Sequence, residues 1–197
     1  MLWGRYAITI MTGKIRIIGG QWRGRKLVVP ERPGLRPTGD RVRETLFNWL
    51  QPKIVGARCL DLFAGTGALG LEAASRGASR VVLVERERAL ADTLRQVTQW
   101  PGGEVIEVVN GDALSWLENA GETFDLVFVD PPFGTGLQAR VLNALVEHGM
   151  LGEAARVYVE QGVDEEVADV TNFRPLRDKR LGRVRARLLE YVPAGPV

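Results

Sequence analysis

The sequence predicts an α/β fold, with a mostly parallel sheet covered by helices on both faces. Three observations lead there. Four short runs, RCLDLFA (58–64), RVVLVE (80–85), EVIEVV (104–109) and FDLVFVD (124–130), are apolar almost throughout, as strands buried on both faces must be. The segments between them carry apolar residues at helical spacing, so strand and helix alternate. A chain of 197 residues with 45% apolar content can bury one substantial core and support a small appendage.

In order along the chain, KIRIIGGQWRGRKLVVP (14–30) reads as two short strands around a glycine-rich turn. ERPGLRPTGD (31–40) is a Pro/Gly linker. The division is therefore expected between an extension with a basic hairpin, residues 1–38, and a main domain, residues 39–197. DRVRETLFNWL (40–50) places Val42, Leu46, Trp49 and Leu50 on one helical face, with Asp40 as N-cap. Helices are expected over 69–76, 89–98, 113–119 and 138–148, and a further strand at RVYVEQ (156–161). GRVRARLLEYV (182–192) alternates Val184, Ala186 and Leu188 with Arg183, Arg185 and Arg187, the pattern of an antiparallel strand with one basic face.

Composition excludes several functions. One cysteine, Cys59, and one histidine, His148, rule out a disulfide framework and make a zinc site or a Cys–His nucleophile pair untenable. No run approaches the roughly 18 apolar residues of a membrane span. No membrane association, no metal, a cytoplasmic setting and a monomeric state are expected, with Met11 an alternative start. The net charge of +2 hides an asymmetry, because residues 14–43 carry nine Lys or Arg against two acids. A second cluster, FRPLRDKRLGRVRAR (173–187), holds seven cations against one acid. Basic segments on a near-neutral body read as a polyanion-binding surface.

LDLFAGTGALG fits G-x-G-x-x-G at Gly65, Gly67 and Gly70 between a strand and a helix, the pattern of a nucleotide-binding turn. Asp61 stands four residues before the first glycine, where a carboxylate would repel a pyrophosphate but welcome a cation. S-adenosylmethionine, with its ammonium and sulfonium, suits that charge. Glu85 ends the second strand, where it can accept both ribose hydroxyls, and Asp112 follows the third, where it can accept the adenine amine. Acids at successive strand ends stand where open α/β sheets bind ligands.

The fourth strand runs into Asp130, Pro131, Pro132 and Phe133. The exocyclic amine of a nucleobase is a weak nucleophile because its lone pair is delocalised into the ring. The Asp130 carboxylate and the Pro131 carbonyl, accepting its two N–H bonds, would localise that lone pair. The prolines fix the backbone in advance, and Phe133 offers a face for an extruded base.

With these residues in place the chain resembles the Rossmann-like S-adenosylmethionine-dependent methyltransferases of exocyclic amines, through DLFAGTG and DPPF. More narrowly, IIGGQWRGRKL, GLRPTGDRVRETLFNWL and ARCLDLFAGTGALGLEAASRGA resemble the bacterial small-subunit ribosomal RNA guanine-N2 methyltransferases (the RsmD family). The resemblance implies a class I methyltransferase fold, with a seven-stranded, mostly parallel sheet, its last strand antiparallel, and the small N-terminal β-hairpin. It implies methylation of one guanine of 16S rRNA at N2, within the assembled small ribosomal subunit. It places Asp61, Phe63, Ala64, Gly65, Thr66 and Gly67 at the methionine moiety, Glu85 and Arg86 at the ribose, and Asp112 and Ala113 at the adenine. Residues 130–133 would hold the target amine; the basic N-terminal segment, with Arg16, Trp22, Arg23, Arg25, Lys26 and Arg36, is expected to contact the RNA. The clamp chemistry serves adenine or cytosine equally, so a DNA amine methyltransferase, an NAD-dependent oxidoreductase and a silent RNA-binding module are the competing readings.

Overall fold

A computed structural model describes residues 12–30, 39–166 and 171–193. A two-stranded antiparallel hairpin, β1 (Thr12–Arg16) and β2 (Lys26–Pro30), precedes helix α1 (Asp40–Leu50). The main sheet is built from β3 (Arg58–Asp61), β4 (Arg80–Glu85), β5 (Ile106–Asn110), β6 (Phe124–Val129), β7 (Leu151–Gly162), β8 (Phe173–Leu181) and β9 (Val184–Tyr191). Between them lie α2 (Ala68–Ser75), α3 (Arg88–Arg95), α4 (Ala113–Leu117) and α5 (Leu137–Glu147). The strand order is β5-β4-β3-β6-β7-β9-β8. The first five are parallel, and β9 runs antiparallel to both of its neighbours. That is the expected seven-stranded sheet.

Both faces are dry. One core gathers the hairpin, α1 and α2 through Leu46, Phe47, Leu71 and Phe128; the other packs α4 and α5 through Leu117, Val141, Leu142 and Leu145. Cys59 is fully buried, and burial pushes its thiol up, so it is an inert core side chain. Two expectations shift. Gly39, not Asp40, is the N-cap of α1, because Asp40 has turned into the first helical residue to meet Arg43 Nη2 at 2.5 Å and Arg16 Nη2 at 3.4 Å. β9 does not carry a free basic face. Arg185 bonds Asp178 at 2.6 Å, and Arg187 is buried on a strand covered on both sides. β8 has almost no apolar alternation and is mostly exposed; as an edge strand it buries too little to leave a pattern.

The hairpin is tied to the body through the turn IIGGQW. Glu72, fully buried in α2, accepts from Ile18 N (2.8 Å), Gly19 N (2.7 Å) and Arg76 Nε (2.8 Å), with Arg43 Nη1 3.7 Å away. At the end of α2, Ser75 Oγ accepts from Trp22 N at 2.9 Å and its carbonyl accepts from Gln21 N at 2.7 Å. This approach explains the second glycine. Gly20 has φ of 74°, and a Cβ there would lie 1.8 Å from the Ser75 carbonyl oxygen. Ile15, Ile17, Trp22, Leu27 and Val29 then join the main core, so removing the hairpin would strip that core as well as its exposed cations.

Candidate active site

The turn after β3 is shaped by backbone bonds. Ala64 N donates to Val84 O (3.0 Å) and Gly67 N to Ala64 O (2.6 Å), which curls Phe63, Ala64, Gly65, Thr66 and Gly67 against the end of β4. Gly67, the N-cap of α2, has φ of 79°, and a side chain there would also strike Leu94 at 2.4 Å. The fingerprint thus has a local steric cause.

Beneath the turn, Asp61 is buried. Its Oδ2 accepts from Gly70 N at 3.0 Å, while Oδ1 is buried without a hydrogen bond of acceptable geometry. Burial pushes this carboxyl up to about 7; the Gly70 and Phe63 amides pull it down, and the Glu85 carboxylate pushes it up again. An orphaned buried acid oxygen fits a cationic ligand. At the end of β4, Glu85 Oε2 accepts from Gly65 N and Oε1 from Glu87 N, both at 2.7 Å, so the expected ribose ligand also fixes the turn. Arg86 is exposed, and its carbonyl accepts from Asn110 Nδ2 at 2.9 Å. Asp112 is exposed and caps α4, with Oδ1 accepting from Leu114 N and Ser115 N; Ala113 is buried beneath it. These residues stand at the adjacent carboxyl ends of β3, β4 and β5.

Residues 130–133, the expected clamp, stand on the other side of β3, at the end of the paired β6, where Leu62 N donates to Phe128 O at 3.2 Å. Asp130 is half-buried, Pro131 is buried, Pro132 is exposed, and Phe133 is 50% exposed. A ring so open, beside a half-covered carboxylate, is available for stacking. The loop beyond is braced. Glu165 Oε1 accepts from Gly134 N (2.6 Å), its Oε2 accepts from Gln138 Nε2 (3.1 Å), and Thr135 Oγ1 donates to Pro132 O (2.7 Å). Behind Asp130, the buried Tyr158 hydroxyl donates to Glu160 Oε2 at 2.8 Å. Burial, then the Glu160 and Asp130 carboxylates, push that phenol up, and burial raises the Glu160 carboxyl.

Of the residues expected to meet RNA, Arg16, Arg23, Arg25 and Lys26 are exposed on the hairpin, and Arg36 lies outside the described residues. Trp22 is a correction. It is 2% exposed, donates from Nε1 to Pro101 O at 2.9 Å and packs edge-on against Trp100, so it cannot stack on a base. Its neighbours Gln21 and Arg23 are polar, which hides in one dimension that it points inward. Sequence reading also missed Glu72, Asn110, Gln138 and Glu165. Each bonds to backbone or side chains distant in sequence, and no spacing rule signals that.

Among the described residues, no cluster of three His, Cys, Asp or Glu side chains could hold a metal ion, and no helix is long and apolar enough to cross a membrane. The profile of the family described as "Conserved hypothetical protein 95" matches residues 15–190. The chain is 51% identical over 186 residues to Ribosomal RNA small subunit methyltransferase D of Escherichia coli (strain K12), covering 93% of each chain. It is 43% identical to the protein of the same name in Haemophilus influenzae, over 90% of this chain and 94% of that one. The solved Escherichia coli protein yhhF superposes with a TM-score of 0.86 at 48% identity, covering 91% of this chain and 99% of that one. An RNA methyltransferase from Salinibacter ruber, solved with S-adenosyl-L-homocysteine, shares the fold at 16% identity and a TM-score of 0.63. On its family profile, its identity to these relatives and its fold, the chain belongs to the ribosomal RNA small subunit methyltransferase D family.

Proposed function

We propose that this protein transfers a methyl group from S-adenosylmethionine to the N2 amine of one guanine in 16S rRNA, acting on the small ribosomal subunit. The observation that carries this reading is the pairing of a clamp, Asp130 with Pro131 and an open Phe133, with the acid-lined turn at the neighbouring strand end. The rRNA substrate comes from the relatives' names, and guanine N2 from the family resemblance.

The residues would hold the donor as follows. Asp61 faces its ammonium, Glu85 the ribose hydroxyls and Asp112 the adenine amine, with the backbone of residues 63–67 around the methionine. S-adenosylmethionine supplies an electrophilic methyl group on sulfur. Phe133 stacks the flipped base. Asp130 and the Pro131 carbonyl accept the two N–H bonds, aim the lone pair at the methyl carbon, and Asp130 is the first acceptor for the proton the amine gives up. The test is transfer of labelled methyl to small subunits from cells lacking the gene, followed by mass mapping of the RNA. A single N2-methylguanine is expected; label in DNA or in another base would overturn the assignment.

Asp61 adds a pH signature. Its folded value, about 7, lies above that of an unfolded aspartate, so the folded chain binds the extra proton between about pH 4 and 7. Ligand-free stability should therefore fall as pH rises through that window and level off above it. Three pH units at about 1.36 kcal/mol each set a ceiling of roughly 4 kcal/mol. Asp61→Asn should flatten this slope in thermal melts and weaken S-adenosylmethionine binding in calorimetry. A slope that survives the substitution would remove Asp61 as its source.

A further inference from the structure

We propose that the β8–β9 turn and the start of α1 form a second docking rim for RNA, which grips phosphodiesters flanking the target nucleotide. The inference rests on the RNA-methyltransferase reading and adds a surface to it.

The first observation is where unneutralised charge remains. Seven cations lie within residues 173–187, but several are neutralised. Glu190 pairs with Arg174 and with Arg156 (2.6 Å), and Asp178 pairs with Arg185 (2.6 Å) and lies 3.9 Å from Arg187. Arg177, Lys179, Arg180 and Arg183 are exposed and make no ion pair among the described residues, although the Arg180 charge also helps hold the Asp178 carboxyl down, and Arg41 in the first turn of α1 is likewise exposed with no ion pair among those residues. Arg180 and Arg183 flank the turn itself, with Lys179 next to it and Arg177 further along β8.

The second observation is where that turn stands. Val184 pairs with Gly162 at the carboxyl end of β7, and Val163 N donates to Arg183 O at 3.1 Å. Since β7 is parallel to β6, the turn shares the rim of the sheet that carries residues 130–133. It also meets α1, because Arg41, Val42, Arg180, Leu181 and Gly182 line one cleft of about 290 Å³. Arg16 of the hairpin reaches Asp40 beside it. A basic path therefore runs from the hairpin across α1 to the β8–β9 turn, along the clamp side of the sheet. Exposed guanidinium groups around an open cleft suit phosphates, which they can meet in bidentate fashion.

The test uses the full chain. Arg180→Ala/Arg183→Ala and the triple variant with Arg41→Ala are compared with wild type for binding to a 16S rRNA fragment and to small subunits across a salt titration. Lys53→Ala, an exposed cation at the opposite end of the sheet, is the control. The triple variant should bind both RNAs roughly 10- to 100-fold more weakly, with its log–log salt slope reduced by about two to three. Thermal midpoint and S-adenosylmethionine affinity should be unchanged. Wild-type affinity and slope in the triple variant would overturn the rim. So would an equal loss in Lys53→Ala, which would mean net charge alone, or a loss confined to intact subunits, which would point to a ribosomal protein. Weakened RNA binding by the variants in a protein that never methylates RNA would keep the rim and reject the methyltransferase reading; methylation with unweakened binding would do the reverse.

Discussion

Asp130→Ala should reduce methyl transfer by roughly two to four orders of magnitude, the scale of losing one preorganised electrostatic contact in an active site. S-adenosylmethionine affinity should be unaffected, because the residues proposed to hold it stand at the ends of β3, β4 and β5 while Asp130 follows β6. The split identifies the role. A residue that merely held the sheet together would lower cofactor affinity and the thermal midpoint along with turnover. Asp130→Asn sharpens the test, since it keeps an oxygen acceptor but loses the charge and cannot take the proton; its rate should fall between wild type and alanine. Single-turnover transfer to small subunits, with calorimetry of cofactor binding, provides both readings. Unaltered turnover in Asp130→Ala would remove the clamp from the mechanism.

The second large effect is on stability. Glu72→Ala should cost about 3–5 kcal/mol, because it leaves two amides of the hairpin turn without an acceptor and takes the buried carboxylate from Arg76 and from Arg43, which keeps only the half-exposed Asp40 as an acid partner among the described residues. At roughly 2–4 °C per kcal/mol for a chain of this size, the thermal midpoint should drop by about 10 °C. Hydrogen exchange should quicken first at Ile18 and Gly19, whose N–H groups Glu72 accepts. Glu72→Gln keeps acceptor capacity for one amide and should lose less. A midpoint within a degree or two of wild type in Glu72→Ala would show that apolar packing of Ile15, Ile17 and Trp22 holds the hairpin without the ion network.

The two residues mark the limits of reading from sequence. The position of Asp130 at the end of β6 was legible because strand runs, a glycine turn and proline stops are local patterns, and strand order places successive strand ends on one rim. Glu72 was not. It lies in LEAAS of α2 as the one charged residue, and its partners Ile18, Gly19 and Arg43 are distant in sequence. Trp22 shows the converse failure, since an aromatic between Gln21 and Arg23 reads as a nucleic-acid contact until Pro101 and Trp100 close over it.

The sequence by itself determined the alternating α/β plan, the glycine turn, the acids at three strand ends and the DPPF stop, because each depends on residues close together in the chain. Tertiary structure alone decided which charges are free. Asp178 and Glu190 neutralise part of a basic stretch and leave Arg177, Lys179, Arg180 and Arg183 exposed. It also decided that the IIGGQW turn is bound to Glu72 and Ser75 of α2. Pairing and burial depend on distances between residues far apart in sequence, and only the folded chain sets those distances.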